Sequence, residues 1–494
     1  MKEDSLFSAI RETFKHGLIY GAGQILSRAI GFLLIPLYTN YLSPSEFGIL
    51  SLLTITASIA QMLFSMGLNS ALFRSYFDYE DDKNRAKVIS TVFYITILSS
   101  TLLSFLGYFL SPYLINVILE SNKFINYLRF VFFIASFKLI GQFTYSVYRV
   151  KILSKRYTLF SILFFTLRLI LTILLVAVFK KGVWGVIIAD FIISVLSSVI
   201  LLCSIKEYII RFFVKYEAIK TLSFGLPLVP QNLSGFVLAS AASYFLKYFS
   251  TIATVGVYNI GYRLGMIFHV LLVFPLAMIW NPIMLSIKDK EYCDQYYSKA
   301  LTYFVFIGFF IASLLSILSK DILHLIAKEP FWEAYRVVPF IAYSYLLLGV
   351  ARILDVGIPI KRKTHYSAFA FIIAALLNLL LNWVLIPKYQ MIGAALATFL
   401  SYFIVVGVEY PLNRILYKLS YEWRRISKII FVGCFLYFLG NKVETGNTWS
   451  NIILKLIIIL LYPAILMPLK FYEYKEKKKI IKIYKSLIRK LKSS

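Results

Sequence analysis

The sequence predicts an all-α polytopic membrane protein. It has about 14 transmembrane helices, arranged as two parallel six-helix bundles related by a pseudo-twofold axis along the membrane normal, plus two C-terminal helices. Three observations predict this. The 494-residue chain is 60% hydrophobic with mean hydropathy +0.76, and apolar runs long enough to cross a bilayer recur from end to end. Its Lys and Arg residues sort by loop, crowding the segments on one side of those runs. Its two halves align without gaps at a constant offset of 208 residues.

Residues 1–16 are polar, with Leu6, Phe7, Ile10 and Phe14 at helical spacing, which predicts a small interfacial helix. The spans follow at 17–39, 47–71, 88–110, 124–148, 157–179, 183–205, 222–246, 255–285, 300–319, 335–359, 366–386, 391–412, 428–440 and 451–469. The N-terminal bundle takes 17–220 and the C-terminal bundle 221–413. Helices 13 and 14 fall in 414–469, and a basic tail fills 470–494. In that tail Ile480, Ile481, Tyr484, Leu487, Ile488 and Leu491 share a helical face among lysines, the pattern of a helix lying on anionic lipid. Prolines 36, 227, 230, 275 and 282 fall inside spans and predict breaks or bends.

Net charge is +28, from 52 basic and 24 acidic residues. Most of the basic residues lie in the N-terminal segment, in the loops after even-numbered spans and in the tail, which puts both termini in the cytoplasm. Positive-inside topology and attraction to anionic membrane lipids account for the excess. Because the bases lie between spans, no nucleic-acid partner is expected. The outward loops are short and leave no room for an extracellular domain. Cys203, Cys293 and Cys434 are far apart, without the spacing of a disulfide framework or metal site. The first apolar run is too long for a cleavable signal and carries Arg28. There is no nucleotide-binding loop, no metal-ligand cluster and no nucleophile with a paired base, so neither an enzyme nor a bound cofactor is expected.

The repeat pairs Gly17 with Gly225, Gly48 with Gly256, Gly141 with Gly349, Lys180 with Lys388 and Gly185 with Gly393. Each unit holds an even number of spans, so both enter the membrane in the same direction. Two such units around a central cavity form the architecture of an alternating-access transporter.

Intramembrane charge marks where that cavity acts. An unpaired charge at mid-bilayer costs roughly 2.5 kcal/mol or more, so it is placed against protein or water. Arg28 shares a face of the first span with Gln24, Ser27 and Gly31. Span 2 carries a polar stripe with Thr54, Ser58 and Gln61. Span 4 carries Lys138, Gln142 and Tyr145. Span 8 carries Asn259, Tyr262, Arg263 and His269, and span 10 carries Tyr345, Arg352 and Asp355. Arg129 and Arg168 are the other intramembrane bases. Arg129 faces away from the Lys138 stripe and reads as structural, while Arg168 reads either way. The acidic candidates are Asp190, Asp355 and Glu409, and Asp355 is placed to neutralise Arg352 one turn away. A lumen of net positive sign favours an anionic cargo, and arginine suits phosphate through paired hydrogen bonds.

The stretch YGAGQILSRAIGFLLIPLYTNYLSPSEFGILSL, Tyr20 to Leu52, resembles the N-terminus of polysaccharide flippases of the multidrug/oligosaccharidyl-lipid/polysaccharide exporter superfamily. The plan of six, six and two spans fits the same family along the whole chain. The resemblance implies translocation of undecaprenyl-pyrophosphate-linked oligosaccharide across the bacterial cytoplasmic membrane through a cationic cavity, for surface polysaccharide assembly alongside polymerase proteins. It assigns substrate-holding roles to Arg28 and Arg263. With Lys138, Arg352, Gln24, Gln61 and Asn259 they make up the expected substrate set. Carboxylates in relatives couple to protons or sodium, and Asp190, Asp355 and Glu409 are loose matches here, so coupling stays open. Two alternatives stand beside this reading. A multidrug/cation antiporter of the same fold would want an acidic, aromatic lumen. A membrane glycan polymerase or ligase would want a sizeable outward loop.

Overall fold

The computed structural model describes residues 32–361, 363, 365–474, 476 and 477. The segment 1–16, most of the first span and the amphipathic tail helix therefore lie outside the described residues. Within them the chain is helical and no strand occurs.

Eleven of the described helices are long and apolar enough to cross a membrane. One of them, α14 (His365–Leu416), is two spans. Its helix breaks at Gln390, where φ is 47° and ψ is −125°. This is the expected turn between spans 11 and 12. The corresponding turn between spans 5 and 6 places Gly182 at φ +56°, 208 residues earlier. The two units therefore reverse direction at the same register, through a backbone conformation that L-residues seldom adopt.

The repeat is equally visible at the helix starts. The last described part of span 1, α1 (Leu34–Tyr41), stops at Tyr41, and α9 (Leu228–Phe249) of span 7 stops at Phe249, again 208 apart. Next, α2 (Pro44–Ser65) and α10 (Ile252–Gly265) begin at matched positions behind matched caps. The Ser43 hydroxyl accepts from Glu46 N at 3.2 Å, and the Glu46 carboxylate accepts from Ser43 N at 2.8 Å, a reciprocal cap with Pro44 in the first turn. The Thr251 hydroxyl accepts from Thr254 N at 3.1 Å.

These two helices pack together and mark the axis between the units. A Cβ built on Gly48 would lie less than 3.0 Å from Ile252 O, and one on Gly256 less than 3.0 Å from Pro44 O. The contact is reciprocal and admits only glycine on either side. At the same end Thr39 and Asn40 each donate to Ile326 O at 3.2 Å, and Lys247 pairs with Glu120.

The opposite end is closed by a different glycine pair. Span 2 breaks at Met66 and Gly67, both at positive φ, before α3 (Leu68–Phe77). Gly67 abuts Gly225, the last residue of α8 (Lys215–Gly225), so closely that neither could carry a Cβ. Arg74 stacks over Phe224 at 4.6 Å, and Lys220 pairs with Asp78 at 3.1 Å. Between the ends, the Tyr244 hydroxyl meets Thr56 at 2.7 Å. The described residues thus hold the units together at both ends.

The rest of the N-terminal unit comprises α4 (Asp82–Leu119), α5 (Ile125–Val150), α6 (Ser154–Ile173) and α7 (Gly182–Ser204). Within the second unit α10 gives way to a π-turn at His269–Val273 just before Pro275, whose missing N–H and bulky ring disfavour regular helix there. The helix resumes as α11 (Phe274–Ile287), followed by α12 (Cys293–Ile326) and α13 (Val338–Leu354). Last come α15 (Trp423–Asn441) and α16 (Thr448–Leu460), which pack on α12.

Candidate functional site

Polar side chains from four helices meet on the N-terminal side of the axis. Thr54, Ser58 and Gln61 of α2 stand one turn apart, so helical periodicity aims them all at α5 and α7. There they line a small cleft of about 30 Å³ with Lys138 of α5 and Asp190 of α7. That volume has room for about one water molecule.

Asp190 is 8% exposed and shared by two bases. Arg168 of α6 grips it through Nη2 at 2.8 Å and through Nε, and Lys138 Nζ lies 3.8 Å away. Arg168 is thus an ion-pair partner. Lys138 faces the cleft but shares the charge of Asp190. Arg263 of α10 reaches across the axis and lies over the Phe47 ring at 4.9 Å and the Tyr38 ring at 5.6 Å. Tyr38 sits within electrostatic reach of both Arg168 and Arg263. Two bases therefore hold one carboxylate, and Arg263 stands nearby over the rings of Phe47 and Tyr38.

Other candidates lie elsewhere. Asn259 is occupied within its own unit, donating to Ser243 Oγ at 3.1 Å and Val255 O at 2.8 Å. Arg352, Asp355 and Glu409 form a separate group where α13 ends against α14. Arg352 is exposed, and no ion pair joins it to Asp355 among the described residues. Glu409 is 2% exposed and accepts from Ser367 Oγ at 3.0 Å. Asn413 beside it caps Gly357 N at 2.9 Å and Ile358 N at 3.2 Å. Gln24 and Arg28 lie outside the described residues. Arg129 stacks over Tyr108 at 4.1 Å, a structural placement.

One buried charge escaped the sequence reading. Lys455 of α16 pairs with Asp321 of α12 at 2.6 Å, each side chain 4% exposed. Its signal was present: a lone lysine inside NIILKLIIILL needs a buried partner.

Comparison with known proteins places this arrangement in a family. Residues 14–288 match the family model described as polysaccharide biosynthesis protein. A curated relative in Haloferax volcanii, a probable low-salt glycan biosynthesis flippase, Agl15, is 25% identical over 223 residues, 41% of this chain and 46% of that protein. The chain thus matches about half the length of that relative. Among solved structures, the lipid II flippase MurJ in an inward closed conformation superposes with TM-score 0.74 at 16% identity, covering 91% of this chain and 98% of that one. An inward-facing multidrug resistance MATE family transporter of the MOP superfamily gives TM-score 0.66 at 13% identity, covering 82% and 96%. Both likenesses concern the fold.

Proposed function

The chain belongs to the polysaccharide biosynthesis protein family, in the multidrug/oligosaccharidyl-lipid/polysaccharide exporter superfamily, and we propose that it flips undecaprenyl-pyrophosphate-linked oligosaccharide repeat units from the cytoplasmic to the outer leaflet. One observation carries the proposal: Lys138 and Arg168 share the carboxylate of Asp190, with Arg263 reaching toward them across the axis over Phe47 and Tyr38, between two units that close at both ends. The sequence adds Arg28 in the first span, and such a set of bases suits a pyrophosphate or acidic sugar. Gln61 lines the cleft as an uncharged donor.

The anionic head enters between the units from the Gly67 end, which the distribution of basic loops assigns to the cytoplasm, with both termini on that side. The polyprenyl tail stays in lipid. Parting of the Gly48 contact and tightening of the Gly67 contact then present the head outside. Asp190, Asp355 and Glu409 are the carboxylates offered for coupling to protons or sodium. The partners of this cycle are the lipid-linked glycan, anionic lipids at the basic tail, and the polymerase that consumes the product.

The test neutralises Arg28 and Arg263 separately to glutamine in cells whose surface glycan depends on this protein. Loss of surface glycan with accumulation of the lipid-linked precursor is expected in each. Undiminished export in both variants sinks the assigned roles.

A further inference from the structure

The 208-residue correspondence carries the N-terminal cleft onto a definite place in the second unit. Leu50, Thr54 and Gln61 of α2 correspond to Tyr258 and Tyr262 of α10 and His269 of the π-turn, and Asp190 corresponds to Thr398 of α14. Lys138 corresponds to Leu346 and Arg168 to Leu376, so the charged triad has no counterpart. Aromatic rings with hydroxyls stand there instead.

These groups touch. The Tyr262 and Tyr345 hydroxyls meet at 2.8 Å, and the Tyr345 ring lies 6.1 Å from Tyr402 and 4.9 Å from His269. Tyr258, 6.0 Å from Tyr262, is 1% exposed, and its hydroxyl closes no hydrogen bond of ordinary geometry among the described residues. It reaches toward Thr398, whose own hydroxyl donates to Ala394 O at 3.0 Å, without closing a bond of ordinary geometry. A buried polar group left unsatisfied is costly, and phenylalanine would fill the same space without that cost. Beyond its long approach to Thr398, the hydroxyl can take a partner.

Aromatic faces bearing uncharged hydroxyls suit a neutral sugar. Its C–H face lies on a ring, and its hydroxyls exchange hydrogen bonds with tyrosine. We propose that this place in the second unit, around Tyr258, Tyr262, Tyr345 and His269, is the subsite for the uncharged sugar of the translocated head, while the N-terminal cleft holds the anionic group. The inference rests on the flippase reading and divides its cavity by chemistry. In the closed state the rings occupy the place, so the sugar enters as the units part.

The test uses the full chain in lipid nanodiscs and two probes: polyprenyl pyrophosphate, and the same lipid carrying a neutral trisaccharide. The wild type is expected to bind the glycosylated lipid about tenfold more tightly than the bare one, and Tyr258→Phe/Tyr262→Phe to bring that ratio near one. A folded double variant with the wild-type ratio overturns the proposal and leaves the tyrosines as packing. If the double variant unfolds, Tyr258→Phe decides alone, because the hydroxyl it removes closes no bond of ordinary geometry among the described residues. If the wild type binds the glycosylated lipid and not the bare one, the phosphate site fails while the sugar subsite stands. If neither probe binds, both fall.

Discussion

Replacing Gly48 with alanine should open one end of the molecule. The new Cβ would lie less than 3.0 Å from Ile252 O and Cγ2, where ordinary contact begins at 3.4 Å. Ile252 O belongs to the helix backbone and cannot swing aside, so α2 and α10 must part by about 1 Å there, and overpacking of this kind costs about 1–3 kcal/mol. That cost falls on the state closed at this end and not on a state already open. It shifts the balance between them by roughly 5- to 150-fold. The assay is thiol labelling of Ser58→Cys, in the small cleft, with Cys203, Cys293 and Cys434 replaced. Membrane-impermeant maleimide applied from the Gly48 side should label the Gly48→Ala protein at least about five times faster. Gly256→Ala should act the same way, because its Cβ meets Pro44 O. Gly225→Ala, which crowds Met66 O, should instead speed labelling from the other side. Unchanged labelling in a folded Gly48→Ala protein would refute the argument that this contact is a gate.

Three further outcomes are expected. Lys455→Met leaves Asp321 charged and buried, which costs about 3–5 kcal/mol, whereas Lys455→Met with Asp321→Leu should recover most of that; thermal unfolding in detergent compares them. Asp190→Asn frees Lys138 and Arg168 together, so binding of polyprenyl pyrophosphate should tighten about tenfold, a gain of about 1.4 kcal/mol; weaker binding in an equilibrium assay would show that the bases serve only the ion pair. Beyond the last span, Glu476 is half-wrapped by its neighbours: burial pushes its carboxyl up, but hydrogen bonds from Tyr303, from Glu473 N and from Arg425 outweigh this and hold it below its ordinary value. A depressed carboxyl stabilises above its unfolded value of about 4.5 and stops doing so as pH falls through the lower, folded one. The chain between Lys470 and Tyr474, held through Glu473 and Glu476, should therefore resist proteolysis at neutral pH and be cut faster below about pH 4.5, and Glu476→Gln should be cut quickly at both.

The frame of the protein was legible because its constraints are local or periodic. Spans declare themselves by length and hydropathy. The offset of 208 declares itself through residues such as Gly48 and Gly256, where a close backbone approach forbids a side chain. The proline positions mark bends, as Pro275 does after the π-turn. The polar stripe of α2 was legible too, since helical spacing alone puts Thr54, Ser58 and Gln61 on one face. Pairing between distant helices was not. Nothing in the spacing of Lys138, Arg168 and Asp190 says that one carboxylate serves both bases. Nothing near Asn259 says that Ser243 and Val255 already occupy its donors. Lys455 and Asp321 are 134 residues apart and meet only once α16 lies against α12. A periodicity assigns a residue to a face, and only packing supplies its partner.

The reciprocal glycine contact at the axis has one more consequence. Because Gly48 faces Ile252 and Gly256 faces Pro44, the two copies touch through equivalent atoms, so neither unit is the fixed one. Opening at this point therefore draws on matched atoms of both halves. The charges obey no such mirror, since Lys138, Arg168 and Asp190 are represented once. The contact between the units is thus built from matched halves, while the charged cluster stands off-centre in one of them.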